Sequence, residues 1–150
     1  MITFLSGDLF EAKAATLVNA VNCVGVMGRG VALEFKRAFP ANFDAYKSAC
    51  ARGDVRLGEV FVFERPESSS PQFIINFPTK RHWRSKSRLD DIERGLEDLA
   101  AVIDQRSMDS VALPALGCGL GGLEWDAVKA LIESKLGDLQ RVDVQVYAPL

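Results

Sequence analysis

Two stretches of this 150-residue chain pass from apolar residues into a small-residue loop and on toward a helical pattern: NAVNCVGVMGRGV at 19–31 and LPALGCGLGGL at 113–123. Glycine lets the backbone take up positive φ and come close to a ligand, so such a loop turns several N–H groups toward one anion, with a helix N-terminus behind it. The competing reading of each loop, taken singly, is a plain connection between elements. Two of them in matching positions suit the two phosphates of a diphosphate. The second loop also satisfies G-x-G-x-x-G through Gly117, Gly119 and Gly122. A dinucleotide-binding unit, however, needs a strand ending in an acidic ribose ligand and further strands beyond, and only one apolar run, 142–146, remains. Neither glycine run leads into Lys and Ser/Thr, which excludes a P-loop. A dehydrogenase therefore ranks last.

The stretch 80–88 reads KRHWRSKSR, five positive residues without an acid and with two aromatic rings between them. Cations follow phosphates and flat rings stack on bases, so Arg81, His82, Trp83 and Arg84 make a candidate surface for single-stranded nucleic acid, each stacked base contributing about 1–3 kcal/mol. The competing reading is a solvated loop with Trp83 packed against the domain. Cys23 and Cys118, one in each glycine loop, are available thiols, but small apolar packing accounts for both. Three cysteines, never as C-x-x-C, argue against a disulfide framework and a thiolate zinc site. With a single histidine and no dense Asp/Glu cluster, no metal and no cofactor are expected.

These residues must be carried by one domain, because 150 residues bury about two thirds of the surface of the unfolded chain in a single core. The net charge of −2 supplies no global field for nucleic acid, so only a local cluster can attract it. The N-terminus lacks a basic region ahead of an apolar run, and no segment approaches the roughly 18 apolar residues that span a bilayer. A cytoplasmic protein with no membrane partner is expected.

Apolar alternation or continuous apolar runs predict six strands, at 2–5, 17–21, 60–63, 73–77, 111–113 and 142–146. Helical spacing joins Val31, Phe35 and Phe39; Phe43, Tyr46 and Cys50; Leu89, Ile92, Leu96, Leu99 and Ile103; and Trp125, Val128, Leu131, Ile132 and Leu136. Ser87 with Asp90 has the spacing of a capping box for the third helix, and Gly137 sits where a C-cap would end the fourth. The polar stretch 64–72 predicts a hairpin connection. Strands alternating with helices imply an α/β fold with a mostly parallel sheet, whose ligands bind beyond the carboxyl ends of the strands. Both glycine loops follow strands and belong there.

Gly7 and Asp8 after the first strand, VNAVN before the first glycine loop, and the second loop after a strand together resemble the macrodomain family, the three-layer α/β/α fold that binds ADP-ribose. More narrowly, MGRGVALEFKRAFP, INFPTKRHWR and LPALGCGLGGLEW resemble the DarG-type antitoxin branch of that family, to which a human ADP-ribose glycohydrolase is also similar. The likeness covers nearly the whole chain. It implies a macrodomain over residues 1–150 with a mostly parallel mixed sheet of about six strands. It further implies that Asp8 accepts from the adenine amine with Leu9 beside it, and that Asn22 lies at the distal ribose. Gly28, Arg29, Gly30 and Val31 would then form the first phosphate loop, Gly117, Cys118, Gly119, Leu120 and Gly121 the second, and Tyr147 would lie against adenine. A carboxylate accepting from an amine, and an amide bonding a hydroxyl, are chemically apt. On residue type alone, Asp8 also suits the cap of a short helix, Asn19 or Asn22 a buried turn, and Tyr147 edge packing.

Thr79 and Lys80 leave the fourth strand at the same end as the loops, and the resemblance implies that Thr79 lines the ligand site and Lys80 is catalytic. As ammonium, Lys80 would support the leaving group at the ribosyl C1; as neutral amine, it would trap the opened sugar as a Schiff base. Both stay open. Arg81 and Arg84 are expected to favour the neutral amine, and a bound diphosphate the ammonium. The human relative carries an aspartate where this chain has Gly121, so Lys80 acting with water and the ligand's own phosphates is the more economical scheme. Nothing places two acids around one bond, as a paired-carboxylate glycosidase requires.

The resemblance thus implies a DNA ADP-ribosyl glycohydrolase, an antitoxin that removes ADP-ribose from thymidine bases of single-stranded DNA and reverses a DNA ADP-ribosyltransferase toxin. Its partners would be ADP-ribosylated single-stranded DNA, ADP-ribose as product and the cognate toxin. Full antitoxins of this kind carry a toxin-contacting region beyond the macrodomain, and 150 residues is the length expected of the N-terminal macrodomain alone. The alternatives are an ADP-ribose-binding reader module, and a hydrolase of ADP-ribosylated glutamate on proteins.

Overall fold

The computed structural model describes residues 1–149. Six strands, β1 (Ile2–Leu5), β2 (Thr16–Val21), β3 (Phe61–Glu64), β4 (Phe73–Pro78), β5 (Ser110–Pro114) and β6 (Asp143–Tyr147), form one sheet in the order β1-β6-β5-β2-β4-β3. All neighbours are parallel except β3, which returns antiparallel along β4 at the edge. The polar connection between β3 and β4 is the expected hairpin, its mouth closed by the Arg65 amide donating to the Gln72 carbonyl at 2.7 Å.

Side chains alternate faces along a strand, and this alternation builds two helical layers. Val18, Ile75, Phe77, Val111, Leu113, Val144 and Val146 point to the face covered by α3 (Leu89–Gln105) and α4 (Trp125–Leu136). Leu17, Ile74 and Ala112, their neighbours in sequence, point to the face of α1 (Gly30–Ala38), and α2 (Pro40–Ala51) packs Tyr46 and Ala49 against Val21. In α3, Ile92, Leu96, Leu99 and Ile103 at helical spacing are fully buried; each such side chain contributes about 1.5–3 kcal/mol relative to exposure. Pro40 keeps Phe39 out of the α region, at φ −133° and ψ 71°, which is why α1 and α2 are two helices. The architecture is the expected three-layer α/β/α fold.

One local expectation needs correction. Ser87 does not cap α3: the helix starts one residue later with Arg88 at the N-cap position and no side-chain cap, while Ser87 gives its amide to the Gly121 carbonyl at 3.0 Å. Asp90 and Asp91 complement the first-turn dipole instead. The short helix that Asp8 suits as a cap is a 3-10 turn, Leu9–Glu11, with Asp8 at its N-cap position. Among the described residues no helix is long and apolar enough to cross a membrane.

Candidate functional site

Strands β2 and β5 are parallel neighbours whose pairing ends at Leu17↔Ala112, although both strands run on. Beyond β2 the chain turns to α1 on one face; beyond β5 it turns to α4 on the other. Adjacent strands whose chains leave to opposite faces open a crevice at their carboxyl ends. That crevice is a cleft of about 920 Å³, and Asp8, Leu9, Asn22, Gly28, Arg29, Gly30, Val31, Thr79, Lys80, Gly117, Cys118, Gly119, Leu120, Gly121 and Tyr147 all line it. The ligand residues anticipated from the sequence therefore meet around one space.

On one side the first loop ends in α1, whose first turn presents the amides of Gly30, Val31 and Ala32, unpaired among the described residues. Asn22 shapes this loop from beneath. Its Nδ2 donates to the Val26 carbonyl at 2.9 Å, and its Oδ1 accepts from the amides of Val24 at 3.1 Å and Val26 at 3.4 Å. The hydroxyl of Tyr46, a residue from α2 that sequence reasoning treated as core alone, lies 2.8 Å from both Oδ1 and the Asn22 carbonyl oxygen. Burial pushes that phenol far up, so it stays a donor at any working pH. Asn22 thus satisfies a buried turn and also lines the cleft, with one Nδ2 hydrogen lacking an acceptor among the described residues. Below it, fully buried Asn42 and Asn76 exchange bonds at 2.9 and 3.2 Å, and Asn19 donates to Asn76 at 3.4 Å, pinning α2 to β2 and β4. A hydrophobicity pattern carries no signal for such polar pairs.

Opposite lies the second loop. Gly117 holds φ +77° and its carbonyl accepts from the Leu123 amide at 2.9 Å, folding the loop back on itself. The amides of Gly119, Leu120 and Gly121 have no partner among the described residues and are available to an anion. Gly121 is required by space: a Cβ there would collide with the Ser87 hydroxyl and sit 2.6 Å from the Gly117 carbonyl oxygen. An aspartate at this position does not fit, consistent with a scheme in which no carboxylate acts from this loop.

The basic strip spans the cleft. The Cys23 amide donates to the Arg81 carbonyl at 2.9 Å and the Ser87 amide to Gly121, so one segment is stitched to both loops. Lys80 is half-buried, with Nζ donating to the Trp83 carbonyl at 3.0 Å. Burial first, and the neighbouring Lys86 second, lower its pKa from the usual lysine value. The direction agrees with the sequence expectation, but the cause does not: Arg81 and Arg84 were expected to act, and Lys86 does. Trp83 is 46% exposed, which rules out a purely packed role; His82 lies against its ring at 5.0 Å between centroids, and the Arg84 guanidinium sits 4.5 Å from it. Trp83 and Arg84 line the cleft, whereas Arg81 and His82 do not.

At the other end, Asp8 Oδ1 accepts from the Phe10 amide at 2.9 Å and caps the 3-10 turn, while Oδ2 has no partner among the described residues and Asp8 lines the cleft. Capping and ligand recognition are therefore compatible. Tyr147, at the end of β6, packs against the apolar cluster that includes Leu9 and lines the same cleft. Neither loop thiol is poised as a nucleophile. Burial, with Cys50 nearby and Arg81 opposing, pushes Cys23 up to about 11; burial and then Glu124 raise Cys118. Both stay protonated at neutral pH.

A model of the Macro domain family matches residues 18–132. A DNA ADP-ribosyl glycohydrolase of Thermus aquaticus is 51% identical over 150 residues, which is 100% of this chain and 42% of that protein. The solved macrodomain of Thermus aquaticus DarG matches with a TM-score of 0.97 at 52% identity, covering 99% of both chains. Thermosipho africanus DarTG in complex with ADP-ribose matches with a TM-score of 0.93 at 36% identity, over 99% of this chain and 42% of that one. The chain spans less than half the length of the curated relative it matches.

Proposed function

The chain belongs to the Macro domain family, and from that premise we propose that it is a DNA ADP-ribosyl glycohydrolase, removing ADP-ribose from thymidine bases of single-stranded DNA. In this role it reverses a DNA ADP-ribosyltransferase toxin and works in the cytoplasm as an antitoxin. The observation that carries the reading is that two anion-binding loops, the Asn22 amide and the Lys80 amine line one cleft. A relative half identical over the full chain is a DNA ADP-ribosyl glycohydrolase, and the ADP-ribose complex of Thermosipho africanus DarTG supports the ligand.

The amides of Gly30 to Ala32 and of Gly119 to Gly121 hold the diphosphate. Contacts to charged oxygens at about 1.5–3 kcal/mol each, two or three per phosphate, suffice for micromolar binding after association costs. Asp8 Oδ2 accepts from the adenine amine, Leu9 and Tyr147 flank the ring, and Thr79 closes the floor. The free Nδ2 hydrogen of Asn22 bonds a hydroxyl of the distal ribose and fixes its C1 before Lys80. Hydrolysis breaks the bond from C1 to the base nitrogen; a water oxygen replaces the base on C1, and its proton balances the charge on the departing base. Lys80 acts at this centre, and Trp83 with Arg84 contacts the base and its strand, with Arg81 and His82 extending that surface.

Incubation with an ADP-ribosylated single-stranded DNA oligomer should release ADP-ribose. Lys80→Ala should abolish release and leave ADP-ribose binding by calorimetry nearly intact. Full turnover by that variant refutes the role of Lys80. Binding without release by the unaltered chain would favour a reader, and release from glutamate-linked but not base-linked substrate would favour a protein hydrolase.

A further inference from the structure

A second cavity, of about 770 Å³, also has Lys80 in its wall. Arg56, Lys80, Arg81, Lys86, Arg88 and Arg94 line it, with Asp91 as the one carboxylate. Asp91 is engaged by Arg94, and Arg56 lies 3.6 Å from exposed Glu59; Arg81, Lys86 and Arg88 form no ion pair among the described residues. In a chain of net charge −2 this is a concentrated positive field with no aromatic ring in it. The two cavities share Lys80 and Ser85 in their walls. The structure therefore divides the basic strip: Trp83 and Arg84 face the first cleft, and Arg81, Lys86 and Arg88 face the second.

A substrate that is one nucleotide of a strand must let the rest of that strand leave the reaction centre, and this exit begins at Lys80. We propose that the second groove is the track for the phosphodiester backbone of the DNA strand flanking the modified nucleotide, with Arg56 and Arg94 joining the strip as phosphate contacts. The proposal rests on the reading of the substrate as DNA. It recruits Arg56 from the connection between α2 and β3 and Arg94 from α3, neither of which belongs to the strip in sequence.

The test is a charge-reversed pair, Arg56→Glu with Arg88→Glu. Affinity for an unmodified, fluorescently labelled single-stranded DNA oligomer is followed by anisotropy across a salt series. Each phosphate contact on a single strand contributes about 0.7 to the slope of log K against log salt. Loss of two therefore lowers the slope by about 1.4 and the affinity at 0.1 M salt about 25-fold. Release of ADP-ribose from a modified oligomer should fall in step, while release from ADP-ribosylated thymidine alone should not change. Unchanged oligomer affinity and slope, or equal losses on both substrates, would overturn the groove assignment, as would tighter binding of an RNA oligomer than of DNA. If oligomer binding falls as expected but the unaltered chain releases no ADP-ribose, the hydrolase reading fails and the groove stands; if release proceeds and the variant is indifferent, the reverse holds. Should the reversed pair not fold, Arg56→Gln with Arg88→Gln should give the same ordering of effects.

Discussion

Tyr46→Phe removes a single oxygen that lies far from solvent and 2.8 Å from two acceptors of Asn22. The ring stays in place among Val21, Met27 and Ala49, so packing is conserved and the loss is confined to the hydrogen bond. After the change Asn22 Oδ1 retains the amides of Val24 and Val26, at 3.1 and 3.4 Å, and is not left bare. The cost is thus that of a net buried hydrogen bond with partial relief, about 1–2 kcal/mol. For a domain of this length 1 kcal/mol lowers Tm by about 2–4 °C, which gives a fall of about 2–8 °C.

The functional consequence follows from the geometry of the amide. Val26 holds one Nδ2 hydrogen, and the Tyr46 hydroxyl fixes Oδ1 and therefore the direction of the other hydrogen, the one assigned to the ribose. If about 1.4 kcal/mol of this orientation is expressed in the transition state, turnover falls about tenfold. Thermal denaturation and the rate of ADP-ribose release, measured on the same preparation, separate the two effects. A lower Tm with unchanged turnover would refute the orienting role. An unchanged Tm with unchanged turnover would refute the buried bond itself.

Gly121→Ala should cost about 1–3 kcal/mol by overpacking against Ser87 and the Gly117 carbonyl, and should weaken ADP-ribose binding because the second loop must shift; thermal melts and calorimetry read both. Asp8→Asn keeps a side-chain oxygen for the Phe10 amide but turns an amide donor toward the adenine amine, so stability should hold within about 0.5 kcal/mol while ADP-ribose affinity falls about tenfold; Asp8→Ala should lose both, the cap costing about 1 kcal/mol. Lys86→Gln removes one of the two causes that lower Lys80, so the Lys80 pKa rises toward its ordinary value and the limb it sets in a pH–rate profile moves to more alkaline pH. A limb that rises with pH identifies the neutral amine as the acting form, and a limb that falls identifies the ammonium.

How much of this was legible in the sequence depends on which force fixes each feature. Alternation in LVNAV and the spacing of Ile92, Leu96, Leu99 and Ile103 report burial directly, so the strands were readable to about one residue at each end, while α2 begins at Pro40, ahead of its first apolar signal at Phe43. The glycine loops were readable because glycine marks backbone geometry, and the parallel sheet then fixed which end they occupy. What escaped were interactions whose partner lies far along the chain. Tyr46 was correctly a core ring, but where its hydroxyl ends depends on how α2 crosses β2. Ser87 and Asp90 carried a sound local capping signal, overridden because the second loop takes the Ser87 amide. Arg56 is one cation in an unremarkable connection, and only the fold sets it beside Arg81 and Arg88. The strip shows the limit most clearly: nine consecutive residues suggested one surface, yet with the turn closed by the Ser85 amide on the His82 carbonyl Arg84 lines one cavity and Arg81, Lys86 and Arg88 the other. A linear charge run states how much phosphate a segment can meet, but the fold decides whether those charges serve one ligand or two ends of the same one.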